Sequence, residues 1–260
     1  MKVVIFAGGF GTRLAEETSV IPKPMVRIGR FPILEHIMEY YCKHGHSDFI
    51  ILTGYKCDVI NDYFAKKCEK KINLNIDNKN IRLDHEYEWN VSLINTGVDS
   101  STSKRLFQIK DQIQETFFLT YGDGLSDVNI NQLLRFHKKN RGIATVTAVH
   151  PPARFGQLQI DSIKSKVVKF NEKGKGENDF INGGYFVVEK EIFRYFDNLE
   201  ISFEENILTK LARSHEFYAF KHYGFWYPMD TLREKNELNS LYENNRAPWI
   251  NKDFERYGEI

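Results

Sequence analysis

The chain has 260 residues, with 36 basic and 35 acidic side chains and a formal net charge of +1. That balance argues against a nucleic-acid groove or a membrane-binding face as the main function, and the length suffices for one large α/β domain with a sizeable core. Three cysteines, Cys42, Cys57 and Cys68, form no CxxC pair and have no zinc spacing, so they read as reduced thiols. The chain enters a strand at residue 3 with no signal-like or membrane-spanning run, which leads us to expect a cytoplasmic protein.

Val3-Val4-Ile5-Phe6-Ala7 is an apolar, β-branched run of the kind that forms a fully buried strand. Gly8, Gly9 and Gly11 follow at once, then Thr12-Arg13-Leu14 and Ile21-Pro22-Lys23-Pro24-Met25. Glycines let a turn aim successive N–H groups inward as an anion-binding nest. Arg13 and Lys23 place two cations beside it, so the chemistry suggested is the handling of a polyphosphate. Two better-known glycine loops are excluded. A P-loop closes on Gly-Lys-Ser/Thr, whereas Gly11 precedes Thr12-Arg13. The dinucleotide fingerprint needs a third glycine where Leu14 stands.

Farther along, Ile33, Leu34, Ile37, Met38 and Tyr41 recur at helical spacing between Pro32 and Lys43. Phe49 to Thr53 reads as a second buried strand, Val59 to Lys66 as a short helix, and the segment from Lys66 to Arg82 as solvated, with edge strands near Leu74 and Ile81. Strand, glycine loop, helix, strand, helix is the order of a doubly wound, mostly parallel sheet, in which ligands bind at the carboxyl ends of strands. Val91 to Ile94 adds a strand. Ser100 to Leu106 then opens a helix expected to run to about Ile113; its Ser and Thr read either as ordinary N-caps or, with Arg105, as a phosphate-facing helix end.

Phe117-Phe118-Leu119-Thr120-Tyr121 is a strand that delivers Asp123 between Gly122 and Gly124. Read alone, Asp123 serves equally well as a turn cap; beside the first motif it reads as a Mg²⁺ ligand. A helix over Ile130 to Lys139 and a strand over Ala144 to Val149 follow, then a hairpin from Gly156 to Asp161 and Val167 to Phe170 expected to reach over the site. Glu172-Lys173 and Asn182-Gly183 place polar groups at strand ends, where a ligand's hydroxyls can be gripped. Helix Phe203 to Arg213, strand Glu216 to Lys221 and helix Thr231 to Glu243 complete the chain, with Asp230 expected to cap the last helix, a place that does not exclude a ligand role as well. No repeat or linker divides residues 1–260, so a single domain is expected.

The glycine loop ending in Gly-Thr-Arg-Leu and the following Lys-Pro resemble the sugar-1-phosphate nucleotidylyltransferases. Further stretches carry the likeness along nearly the whole chain: Glu16-Glu17-Thr18, Trp89-Asn90-Val91, Thr120 to Gly124, Arg154-Phe155-Gly156, Ile181 to Gly184, Pro228 to Arg233 and Ala247-Pro248-Trp249. The resemblance implies a Rossmann-like nucleotidyltransferase fold with a small sugar-side β/α extension. It implies CTP as nucleotide donor, a sugar 1-phosphate (glucose 1-phosphate) as acceptor, Mg²⁺, and a homo-oligomer. Carried over residue by residue, it makes Arg13, Lys23 and Asp123 catalytic and Asp123 and Asp230 metal ligands. Ala7, Gly8, Gly9, Gly11, Thr12, Arg13, Lys23, Ser100, Arg105 and Gly122 would bind nucleotide, and Gly156, Glu172, Lys173, Asn182 and Gly183 the sugar.

Three departures stand out: Ser103-Lys104 where the family has Gly-Gly, Asn95 where it has Asp, and Gly174 where it has Pro. They leave a different acceptor or nucleotide open. A non-catalytic nucleotide sensor on the same fold is a further alternative, disfavoured by the presence of Arg13, Lys23 and Asp123. An oxidoreductase is disfavoured by the missing third glycine.

Overall fold

A computed structural model describes residues 1–67, 72–77, 79–83, 89–151, 157–160, 166–171 and 180–250. The opening apolar run becomes β1 (Lys2–Phe6), near the middle of a nine-stranded sheet whose other strands are β2 (Asp48–Thr53), β3 (Ile72–Ile76), β4 (Lys79–Leu83), β5 (Trp89–Asn95), β6 (Phe117–Tyr121), β7 (Ala144–Val149), β8 (Ile181–Val188) and β9 (Phe217–His222). Their spatial order is β9-β7-β8-β6-β1-β2-β5-β3-β4. Neighbours are parallel except β8, which is antiparallel to β7 and β6, and β4, which is antiparallel to β3 at the edge. The mostly parallel α/β sheet expected from the sequence is therefore present.

β1 reads as a continuous apolar run because both faces of the sheet are covered. Val3 and Ile5 point into one core layer with Leu34, Ile37, Phe49 and Phe118. Val4 and Phe6 point into the opposite layer with Ile50, Leu106, Leu119 and Phe203. Helices α1 (Ile33–Lys43) and α2 (Cys57–Lys66) supply the first layer. The short α3 (Thr102–Phe107) and the segment around Phe203 to Leu211 supply the second. Helices α4 (Ile130–Asn140) and α5 (Leu232–Glu243) also present buried leucines, Leu133 and Leu238, to the first layer. Among the described residues, no helix is long and apolar enough to cross a membrane.

The chain leaves β1 to form β2 and β5 on one side, then returns to place β6 on the other. Such a reversal opens a crevice between the carboxyl ends of the two diverging strands. Gly8 to Gly11 and Gly122-Asp123 lie at those two ends, so the topology brings the two sequence motifs face to face.

Several local expectations differ from what is found. The helix expected to run to Ile113 stops at Phe107 and resumes only as a 3₁₀ turn over Lys110–Gln112. The one expected over Phe203 to Arg213 begins as a π-turn, Glu204–Leu208, before the α-helical Thr209–Arg213. Asp230 is not the cap of α5. Thr231 is, in a capping box with Glu234, whose carboxylate accepts from the N–H groups of both Asp230 and Thr231. The Asp230 side chain is thereby free to face elsewhere. Of the expected hairpin, Gln157–Ile160 pairs antiparallel with Val167–Asn171. Gly156, Glu172, Lys173 and Gly174, and with them part of the expected sugar site, lie outside the described residues, as does Cys68. Burial pushes the Cys42 thiol up to about 12, as an inert thiol requires.

Candidate active site

β1 ends at Phe6, and the Ala7 N–H still donates to Leu52 O at 2.9 Å, so the glycine loop starts from a pinned strand end. Gly11 adopts the left-handed conformation (φ 65°), and its carbonyl accepts from Leu14 N at 3.0 Å to start a 3₁₀ turn over Thr12–Leu14. A Cβ on Gly11 would stand 2.9 Å from Thr18 Cγ2 and 3.0 Å from Lys23 Cβ, so glycine is required by conformation and by packing. Gly9 differs: a Cβ there would meet nothing within 4 Å. Neither backbone conformation nor protein packing explains a glycine at that point on the cleft wall. The open space there leaves room for a ligand to approach the backbone closely.

Around this loop lies a cleft of about 430 Å³. Every residue expected to contact nucleotide borders it: Ala7, Gly8, Gly9, Gly11, Thr12, Arg13 and Lys23 from the loop side, Ser100 and Arg105 from α3 and its approach, and Gly122 with Asp123 from the end of β6. Phe10, Val98, Thr102 and Tyr121 also border it and were not singled out by sequence. Arg105 stands differently from a guanidinium aimed at open phosphates. It is 3 % exposed and lies beneath the glycine loop, bonded to protein carbonyls. Ser101 caps α3, its hydroxyl accepting from Lys104 N at 3.0 Å, so the capping reading of this segment is realised. Lys104 turns outward to Glu200 (3.3 Å), and Ser103 is fully buried; neither borders the cleft.

Opposite the loop, the chain brings together two carboxylates that are far apart in sequence. Gly124–Ser126 pairs antiparallel with Trp226–Pro228, and Met229 N donates to Asp123 O at 2.8 Å, which sets Asp230 beside Asp123. The Lys23 ammonium sits between them, 2.7 Å from Asp123 Oδ2 and 2.6 Å from Asp230 Oδ1, while Arg13 Nη1 reaches Asp230 Oδ2 at 2.7 Å. Burial pulls the Lys23 pKa down, but the charge and hydrogen bonds of Asp123 and then Asp230 outweigh it, leaving the pKa above its ordinary value of 10.5. Lys23 is thus a fixed cation at neutral pH. Arg13 is largely exposed at the cleft mouth.

Two carboxylates converging on one cation suit a hard divalent ion that takes its remaining ligands from water and phosphate oxygens, as Mg²⁺ usually does. Among the described residues, no group of three or more His, Cys, Asp or Glu could hold a metal by protein ligands alone. The donor set therefore fits an ion that is completed by a polyphosphate.

A second, much smaller cavity adjoins the cleft and shares Tyr121 and Asp123 with it. Asn182 and Gly183, expected to bind sugar, border this cavity along with Tyr185 and Trp226. Trp226 Nε1 donates to Gly183 O at 2.6 Å, which fixes the indole as a wall. Tyr121 divides the two spaces. Its hydroxyl is bonded to Glu204, which also accepts from Thr102 Oγ1 at 3.0 Å. Burial, and then Glu204, push its phenol pKa up, so it stays protonated. The sequence cue for this wall was weak: a tyrosine ending a strand, and a tryptophan in an aromatic run.

Residues 2–243 match the family model described as nucleotidyl transferase. The chain is 45% identical over 255 residues to glucose-1-phosphate cytidylyltransferase from Salmonella typhi, spanning 96% of this chain and 98% of that protein. It is 38% identical over 254 residues to a probable glucose-1-phosphate cytidylyltransferase from Bacillus subtilis (strain 168), spanning 96% and 99%. Among solved structures, HddC from Yersinia pseudotuberculosis superposes with a TM-score of 0.67 at 24% identity, covering 93% of this chain and 99% of that one. UDP-glucose pyrophosphorylase complexed with UDP-glucose gives 0.66 at 18%, covering 94% and 99%. These two likenesses speak to the fold alone.

Proposed function

The chain belongs to the nucleotidyl transferase family, and we propose that it transfers CMP from CTP to α-D-glucose 1-phosphate, giving CDP-glucose and pyrophosphate. The observation that carries this reading is 45% identity with a cytidylyltransferase over 96% of the chain, combined with a cleft in which a glycine loop, two cations and two carboxylates converge.

A phosphate oxygen of the sugar phosphate attacks the α-phosphorus of CTP. As that bond forms, the bond from the α-phosphorus to the bridging oxygen breaks, and pyrophosphate leaves with the electron pair. The second pKa of a phosphate ester is about 6, so the nucleophile is already ionised at neutral pH and no general base is needed. What remains is to align two polyanions and offset their charge. Gly8, Gly9, Gly11 and Thr12 cradle the triphosphate, with Ala7, Ser100 and Gly122 against the nucleoside. Lys23 holds the phosphates in line, and Arg13 at the cleft mouth meets charge that develops on the departing pyrophosphate. Asp123 and Asp230 would hold Mg²⁺, which when bound supplies charge neutralisation at the phosphates. Asn182 and Gly183 sit on the acceptor side, with Gly156, Glu172 and Lys173 assigned there from sequence. We take residues 1–260 as one nucleotidyltransferase domain that works as a homo-oligomer in the cytoplasm and supplies CDP-glucose for surface polysaccharide sugars.

Pyrophosphate release, measured over four nucleoside triphosphates and a panel of sugar phosphates, tests the reading. Release with CTP and glucose 1-phosphate that stops in EDTA and in Asp123→Asn is expected. Preference for another pair, or full activity in EDTA, would refute the corresponding assignment.

A further inference from the structure

The guanidinium of Arg105 is buried among backbone carbonyls drawn from three separate strand ends. Its Nη1 faces Thr53 O (3.1 Å), Thr96 Oγ1 (2.6 Å) and Gly97 O (2.8 Å), and its Nη2 faces Gly8 O (2.9 Å) and Val98 O (3.0 Å). The four N–H bonds on the two terminal nitrogens thus meet five protein acceptors, so protein groups take up all four of these donors. Among the described residues no carboxylate forms an ion pair with it. The neighbours are shaped around the group: a Cβ on Gly8 would lie 2.2 Å from Nη1, and one on Gly54 would lie 2.4 Å from it. Gly8 and Val98 both border the nucleotide cleft, and one nitrogen, Nη2, holds the carbonyls of both.

We infer that Arg105 is a positioning residue that fixes the place of the phosphate-binding glycine loop by tying it to the Gly97–Ser100 segment, rather than a ligand of the phosphates. The inference rests on the proposed nucleotidyl transfer for its meaning but not for its geometry. Only a planar fork spans these acceptors. A lysine ammonium keeps the charge but cannot reach Gly8 O and Val98 O on one side and Thr53 O and Gly97 O on the other. Loss of the fork leaves Gly8 O and Thr53 O with their backbone donors, Tyr55 N and Thr96 N, but cuts the link from Gly8 O to Gly97 O and Val98 O and frees the glycine loop to shift. A misplacement of ~1 Å at such a site lowers the rate on the order of 100-fold.

The test compares Arg105→Lys with Arg105→Met in the full chain. In the ligand-free protein, amides of the glycine loop and of Gly97 to Ser100 should exchange at least ~10-fold faster in both variants, with those of β8 unchanged. KM for CTP should rise more than ~10-fold in both, the two variants agreeing within about threefold, while KM for glucose 1-phosphate stays within about twofold. Rescue of KM by lysine would make Arg105 a direct phosphate contact and overturn the inference. Equal rises in both KM values with faster exchange throughout the chain would reduce it to general stability and overturn it too. Exchange is read without substrate, so a wild-type chain that released no pyrophosphate would refute the proposed reaction while exchange still decided the positioning role. Thr96→Val, which removes the 2.6 Å partner, serves if neither arginine variant folds. It should show the same pattern at about a threefold level, and an unchanged KM for CTP with unchanged exchange would overturn the inference.

Discussion

Lys23 is 8 % exposed, and replacing it with Met removes the ammonium between Asp123 and Asp230 while Arg13 stays paired with Asp230. Since the two carboxylate oxygens lie 2.7 and 2.6 Å from the same nitrogen, they are close neighbours. Two like charges about 5 Å apart repel by roughly 3 kcal/mol at an effective dielectric constant of about 20. The Asp123 side chain is 36 % exposed and solvent screens the pair, while Arg13 still offsets the charge of Asp230, so the expected loss of stability at pH 7 is about 2 kcal/mol, below the ~3–5 kcal/mol of a fully enclosed broken pair. Protonating either carboxylate removes the repulsion, so the deficit should shrink on acidification. The wild-type contact has the opposite limit. Because the folded pKa of Lys23 is raised, its contribution is full below 10.5 and is lost as pH rises through the higher folded value. Urea unfolding followed by circular dichroism, at pH 7 and at about pH 4.5, measures the effect, and a double-mutant cycle with Asp123→Asn isolates the pair. A Lys23→Met chain as stable as wild type at pH 7, or a deficit that grows on acidification, would refute the electrostatic account.

Gly9→Ala should leave the unfolding midpoint unchanged, since its Cβ meets no protein atom, while KM for CTP rises several-fold; Gly8→Ala should lose stability because its Cβ collides with Arg105, and matched effects from the two would contradict both assignments. His44, His46 and His137 are held below the ordinary value of 6.5 chiefly by burial, so their stabilising contribution is complete above that pH and is lost as pH falls through their lower folded values. His137→Gln, which cannot titrate, should flatten part of the acid limb of a stability–pH curve; an unaltered limb would exclude His137 as a contributor. Replacing Ser103 and Lys104 by glycine together should leave the ranking of sugar phosphates by kcat/KM unchanged, because Lys104 turns out to Glu200 and Ser103 is enclosed; a reordered ranking would show that this segment shapes the acceptor site after all.

What the sequence by itself determined is mostly local. The apolar run at Val3 to Phe6 could only be a strand covered on both faces, and Gly11 before Thr12-Arg13 announced a loop with left-handed backbone, because both properties belong to a few consecutive residues. Strand positions from β1 to β9 were legible for the same reason, and the cleft is bordered by the loop residues that those motifs singled out. Tertiary structure decided whatever depends on which distant groups are left to meet. Whether β8 runs with or against β6 is set by pairing Tyr185 with Thr120, a register no local pattern encodes. The capping of α5 fell to Thr231 because Glu234 completes the box, and only then could Asp230 turn to Lys23 and Arg13. Arg105 looked like an open cation in a polar stretch. Its destination was set by the carbonyls that three strand ends bring together beside it, because a buried guanidinium goes where acceptors converge, and their convergence is a property of the folded sheet rather than of any stretch of chain.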